Sequence, residues 1–356
     1  MEENPWIEDE NLQRDREREK EENQKTVKRV FSQVAIGLSA MIIAVFALME
    51  FLMPSLLGLI PVELRRDINV IFIVSALILY AVGLVTYGVL QRWVSNAPLQ
   101  RVEDAQPVKL TPILTGKLVL ICLAVGFIFN MVTMGINYAV NLLSHAREVR
   151  EITRQYLETG YGVMPDPPSF LEVDPLLEMV GAINPMVSFL LVVVTTSIFE
   201  EMIFRKLLYD KLIGFGGKTF ILVSSLLFAL FHLNHRQLLY TFAVGVIFAG
   251  VMYYTRKVSY CILLHMCFNF FGTVGMHIQA LPEAIEMLYG LIYLVFLVAG
   301  IVFLIKGLRS SKEWMTFEQA QIEVEKRRNI FLNPGMMIFL IITVTSIIGG
   351  AIWGIT

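Results

Sequence analysis

Six polar side chains stand inside segments that are otherwise apolar, in the patterns Glu200-Glu201-x-x-x-Arg205, Phe228-x-x-x-His232 and His265-x-x-x-Asn269. A charge at the centre of a membrane-spanning helix costs about 2.5–3.5 kcal/mol on insertion scales, so such groups face a bundle interior or a wet cavity. The residue types complement one another chemically. A carboxylate beside a histidine can orient and deprotonate a water, the general-base half of hydrolysis. A second histidine, with an amide one turn later, can hydrogen-bond the oxygen that turns negative in a tetrahedral intermediate. One Glu with two His is also a catalytic zinc set, although the compact His-Glu-x-x-His helix is lacking. Two readings therefore stand at this point, a site with no cofactor and a zinc site. No Ser or Lys pair has nucleophile spacing. Cys261 lies one turn before His265, with nothing in the sequence to lower its pKa.

The elements that must hold these groups are membrane helices. The chain has 356 residues, 56% of them hydrophobic and only 17% charged, with mean hydropathy +0.63. That composition excludes a set of soluble domains and points to an all-α, integral, multi-pass membrane protein. Its lipid partner is the bilayer itself, the cell membrane if the source is bacterial. A net charge of −2 and the lack of a dense basic run exclude a nucleic-acid partner. Cys122, Cys261 and Cys267, odd in number and set in apolar segments, read as small buried hydrophobes rather than a disulfide framework.

About nine spans are expected: Val30–Leu59, Asn69–Leu90, Lys117–Leu143, Pro185–Ile213, Lys218–Leu233, Gln237–Thr255, Ser259–His277, Ile285–Gly307 and Met336–Ile355. The fifth is marginally short. Cytoplasmic loops carry the excess of Lys and Arg, and a cytoplasmic N-terminus puts 23 of the 29 basic residues inside. The organisation that follows has a charged cytoplasmic arm over 1–29, three transmembrane helices over 30–143 and an extracytoplasmic loop over 144–184. A catalytic four-helix membrane core covers 185–277, and the C-terminal transmembrane helices cover 278–356. The arm has mixed charges and no signal-peptide core, so the first span is expected to be retained. The loop, broken by Pro165-Asp166-Pro167-Pro168, is expected to form a small cap. Within the last region, 310–329 is expected to be an amphipathic segment on the inner surface, since Trp314, Phe317, Gln321 and Val324 share helical spacing and precede Lys326-Arg327-Arg328.

For one site, the motifs must meet at one depth. Glu200 and His232 stand about 21–23 Å from the Gly214–Gly217 turn along their helices, whereas His265 lies only about 10 Å into its own. The levels match if Arg205, Lys206, Asp210 and Lys211 protrude from the membrane by about two turns. A pocket opening to the cytosol, about 10 Å below the surface, is then expected. Glu201 and Arg205 are four residues apart in the favourable order and should pair, which leaves Glu200 free. Phe228 is expected to pack.

Taken together and in this order, the three motifs resemble those of the CAAX prenyl endopeptidase and bacteriocin-processing family, also called the abortive-infection family. The resemblance covers Pro185–His277. It implies an intramembrane endopeptidase in which Glu200 and His232 activate water, His265 and Asn269 form the oxyanion site, and Glu201 and Arg205 hold the constellation. Its implied substrates are membrane-associated peptides or lipidated, CAAX-like proteins. A non-catalytic member acting in bacteriocin immunity or as a scaffold is the alternative.

Overall fold

The computed structural model describes residues 5–95, 107–159, 175–310 and 328–353. Among them there are helices and turns and no strand. The chain begins with α1 (Pro5–Phe51), α2 (Met53–Gly58), α3 (Ile68–Trp93), α4 (Pro112–Thr159) and α5 (Pro175–Ala182). The central span, Pro185–Phe215, is composite. It runs through α6 (Pro185–Ser188), a π-helical stretch Phe189–Thr196, α7 (Ser197–Glu201), a second π-helical stretch Met202–Leu207 and α8 (Leu208–Leu212). Then follow α9 (Gly217–Phe231), α10 (His235–Thr255), α11 (Val258–His277), α12 (Glu283–Ser310), α13 (Arg328–Phe331) and α14 (Pro334–Trp353).

Among the described residues, eight helices are long and apolar enough to cross a membrane, and α9 is a further, shorter apolar helix of 15 residues. The all-α, polytopic membrane architecture read from composition is thus the one observed. Leu288, Leu291, Val295 and Val298 of α12 are exposed, as suits a lipid-facing surface. The N-terminal arm continues into the first span as one helix from Pro5. Likewise α4 runs to Thr159, well past the expected end at Leu143. The Pro165–Pro168 break and nearly all of the amphipathic segment 310–329 lie outside the described residues.

Short polar devices fix the helix ends. Asp67 caps α3 by accepting from the Asn69 amide at 2.8 Å, and the Asn69 side-chain oxygen accepts from the Asn184 amide at 2.6 Å, which ties the start of α3 to the start of the central span. Gly216, at φ 93°, supplies the left-handed turn into α9 that a Cβ would strain. Asn234 caps α10, accepting from the Arg236 amide at 2.8 Å. The first and last helices are in contact. Val27, Val30, Phe31, Val34 and Leu38 of α1 are buried, and Ser32 accepts from the Gly335 amide of α14 at 3.0 Å.

At the end of the central span the polar residues are divided between the interior and the surface. Arg205 is fully buried and Lys211 is 3% exposed, while Lys206 pairs with Asp210 in a part-exposed position. Lys211 stays inside because its ammonium donates to the carbonyls of Gln91 at 2.9 Å and Val94 at 3.0 Å, at the C-terminal end of α3. Those carbonyls lack intrahelical donors and carry the negative end of the helix dipole, so a cation is stable there without water.

Close helix approach depends on small residues. A Cβ on Gly300 of α12 would be driven into the backbone carbonyl of Leu120 on α4, whereas one on Gly290 of the same helix meets open space. Gly300→Ala is therefore expected to destabilise the fold by about 1–3 kcal/mol or more, and Gly290→Ala to be neutral or mildly stabilising. Thermal unfolding of the two variants in detergent checks the contrast.

Candidate active site

The site is built on α7, the end of α9 and α11. α7 carries Glu200 and Glu201 and is bracketed by the two π-helical stretches. A π turn shifts the hydrogen bonds to i→i+5 and leaves carbonyls in need of donors, and such turns concentrate at functional sites. Here the donors are side chains. Thr195 and Thr196 donate to the carbonyls of Leu190 and Leu191, five residues back, at 2.7 and 2.9 Å. Tyr80 of α3 also donates to Leu191 at 2.9 Å, and Asn269 of α11 donates to Val192 at 3.1 Å. In the second stretch, Ser224 of α9 donates to the Phe204 carbonyl at 2.6 Å. The glutamates are thus presented by a helix whose irregular flanks are satisfied from three neighbouring helices.

Glu201 is the hub. Its Oε1 accepts from His265 Nδ1 at 2.8 Å, and its Oε2 lies 3.1 Å from Arg205 Nε. Both Glu201 and Arg205 are fully buried. The guanidinium makes no aligned hydrogen bond among the described residues. It lies instead over the faces of Phe228 at 4.4 Å and Phe248 at 5.6 Å, where the ring quadrupoles attract a cation. Phe228 therefore does more than fill space, since it also meets the His232 ring edge-on at 4.8 Å.

The ring contacts set the histidine tautomers. His232 Nδ1 donates to the Phe228 carbonyl at 2.8 Å, which leaves Nε2 as the lone-pair nitrogen of a neutral imidazole. His265 Nδ1 donates to Glu201, and its Nε2 is 3.7 Å from Glu200 Oε2, beyond hydrogen-bond range. Glu200 itself is 22% exposed at the side chain, so it is the carboxylate that water can reach. The structure accordingly brings Glu200, Glu201, Arg205 and His265 together, with His232 joined through the shared Phe228.

Asn269 sits differently from the oxyanion donor expected of it. Its Nδ2 donates to the Val192 carbonyl of the π-helical stretch and to Oγ of Ser197, the first residue of α7, at 3.3 Å. Cys261, considered above as a nucleophile, is fully buried, with Sγ 3.3 Å from the Phe248 carbonyl. Sequence reasoning missed Tyr80, which stacks on Phe199 with ring centroids 4.7 Å apart. The signal was a phenol in the apolar run of α3, one of two there with Tyr87.

Zinc is tested by the donors. Among the described residues, no group of three His, Cys, Asp or Glu side chains is arranged to hold a metal ion. As placed, Glu200, His232 and His265 do not fit a zinc centre.

His232 caps the end of α9, about 22 Å from the Gly216 turn. A cavity whose wall includes Asn269 is lined by Arg236 and Tyr240 from the start of α10 and by Thr273 and Met276 from the end of α11. It therefore lies toward the α9–α10 turn, not toward Gly214–Gly217.

Removing one partner of a buried ion pair leaves the other charge uncompensated, at a cost of about 3–5 kcal/mol. Arg205→Gln is expected to lower stability by that amount, and Arg205→Lys to rescue it only in part, since a compact ammonium cannot lie flat on Phe228. Thermal melts of the detergent-purified variants give the comparison.

Residues 182–271 match the family model described as Type II CAAX prenyl endopeptidase Rce1-like. The match bears out the resemblance carried by the three motifs, over about a quarter of the chain, and at family level it is to a CAAX-type intramembrane protease. No curated protein and no solved structure matches the chain.

Proposed function

We propose, from the endopeptidase match over 182–271, that this chain hydrolyses peptide bonds of membrane-associated or lipidated substrates with a water activated by Glu200 and His232. The observation that carries this reading is the division of labour between the two glutamates. Glu201 is buried and bound to Arg205 and His265, whereas Glu200 is partly exposed and its carboxylate is left for chemistry.

In this mechanism a water lies between the Glu200 carboxylate and His232 Nε2, the nitrogen left basic by the Phe228 carbonyl. Glu200 takes one proton as the water oxygen attacks the scissile carbonyl carbon. In its doubly protonated form His265, with Nδ1–H held by the Glu201 carboxylate, offers Nε2–H to the developing oxyanion. The intermediate collapses with cleavage of the C–N bond, and the proton on Glu200 goes to the leaving amine. Asn269 acts as a positioning residue by holding the Val192 carbonyl and Ser197 beside α7.

Purified protein should cleave a prenylated or apolar membrane peptide. Glu200→Gln and His232→Ala should each reduce kcat by about 10²–10⁴-fold, the range of general-base catalysis, and His265→Ala by about 10²–10³-fold. A strong chelator should leave the wild-type rate unchanged; loss of activity that zinc restores would instead make Glu200, His232 and His265 metal ligands. Normal biological activity in Glu200→Gln, with the protein still in the membrane, would favour the scaffold or immunity role.

The excess of basic residues in alternate loops supports a cytoplasmic N-terminus. On that orientation the α9–α10 turn and the α11–α12 turn face away from the cytoplasm. Leu281→Cys, at an exposed position in the α11–α12 turn, is then expected to react with a membrane-impermeant maleimide in intact cells. Labelling only after the membrane is broken would reverse the orientation.

A further inference from the structure

Besides its bond to Glu201, the His265 ring touches two aromatic side chains. Phe248 of α10 lies against it with ring centroids 5.2 Å apart and planes inclined by 31°, while Phe228 of α9 stands nearly perpendicular to it, at 6.0 Å and 89°. Phe248 is 1% exposed and belongs to none of the three motifs. The two phenylalanines can meet at one histidine because Gly245, one turn before Phe248, lets α9 come close. A Cβ at Gly245 would stand 3.2 Å from the Phe228 ring and 3.4 Å from Ser225.

The bond to Glu201 sets where Nδ1 points, yet one hydrogen bond leaves a ring able to turn about the N–H···O direction and sweep its far nitrogen through an arc. A flat face on one side and a perpendicular ring on another close off that turn. They keep Nε2 on the side of Glu200, 3.7 Å from Oε2. The face of Phe248 also attracts the doubly protonated imidazole, since a cation within about 6 Å of a ring centroid is drawn to the ring quadrupole. Cys261, one turn before His265 on α11, adds a second point of contact: its thiol faces the carbonyls of Phe248, at 3.3 Å, and of Lys257, at 4.0 Å. The same face of α11 therefore meets Phe248 through both its backbone and its ring.

We propose that Phe248 is a positioning residue for His265 in peptide-bond hydrolysis, fixing the plane of the imidazole so that Nε2–H meets the oxyanion. The assignment rests on the endopeptidase reading for what Nε2 does. The hold on the ring is measurable without turnover.

Two readouts on the full chain in detergent test this. In cleavage of a prenylated peptide, Phe248→Leu should lower kcat by about 10–100-fold, the cost of a misplaced group, with KM changed by less than about twofold. Phe248→Tyr, which keeps the ring, should recover most of that loss. Phe248 also borders Arg205 at 5.6 Å, and a double variant separates the two contacts: in a His265→Ala background, Phe248→Leu should cost nothing more, because residues that act as a unit are not additive. The second readout is the Nδ1–H proton of His265 in protein labelled with ¹⁵N-histidine, identified among five histidines by its loss in His265→Gln. It should exchange with solvent about tenfold or more faster in Phe248→Leu. Phe339→Leu, at a fully buried position of α14, should leave that exchange at the wild-type rate and so controls for lost volume elsewhere in the bundle. If the leucine variant does not fold, Phe248→Met, which fills the space without a flat face, carries the same expectations. Wild-type kcat in folded Phe248→Leu, a full further loss in the His265→Ala background, or an unchanged exchange rate would each overturn the proposal. A wild type that cleaves no peptide would sink the endopeptidase reading, and the exchange rates would still decide whether Phe248 holds the ring. Cleavage that depends on Glu200 but not on Phe248 would keep that reading and remove Phe248 from it.

Discussion

A positive charge buried among aromatic rings organises this protein. Arg205 has no exposure, yet it lies at 3.1 Å from Glu201 and over the faces of Phe228 and Phe248. In a medium of low polarity neither charge is tolerable alone, so each member fixes the other. Glu201 then fixes the His265 ring through a 2.8 Å bond, and Phe228 fixes His232 through its carbonyl. One desolvated cation thereby sets the orientation of residues from the central span, α9 and α11. The same constraint separates two adjacent glutamates: the one facing inward is consumed by structure, and its neighbour, about 100° around the helix, retains its chemistry.

The irregular backbone around α7 complements that charge. A regular helix would have satisfied its own carbonyls. The two π-helical stretches call instead on Thr195, Thr196, Tyr80, Ser224 and Asn269. These bonds attach the glutamate-bearing turn to α3, α9 and α11 at once. A site held from several sides suits preorganised electrostatics, because its dipoles need little rearrangement as charge develops.

Much of this was legible in the amino-acid sequence, for identifiable reasons. The spans follow from runs of apolar residues, and the Glu201–Arg205 pair from a four-residue spacing that any helix converts into contact. The three motifs stood out because ionisable groups are conspicuous in lipid-spanning segments. What stayed hidden depended on partners far along the chain. Lys211 reads as a protruding surface residue until the open carbonyls at the end of α3 are placed beside it. Asn269 reads as a free amide donor until the π-helical stretch presents Val192 to it. Local spacing reveals which residues can meet, and tertiary context decides which of their atoms remain uncommitted.

The contact between α1 and α14 joins parts of the chain about 300 residues apart, through Ser32 and Gly335. During synthesis, the apolar face of α1 enters the bilayer long before its partner exists. That face must therefore wait in lipid, or against a temporary companion, until the last helix emerges. This contact therefore cannot close until the chain around Gly335 has been made, so α1 must persist in the bilayer without it for most of synthesis.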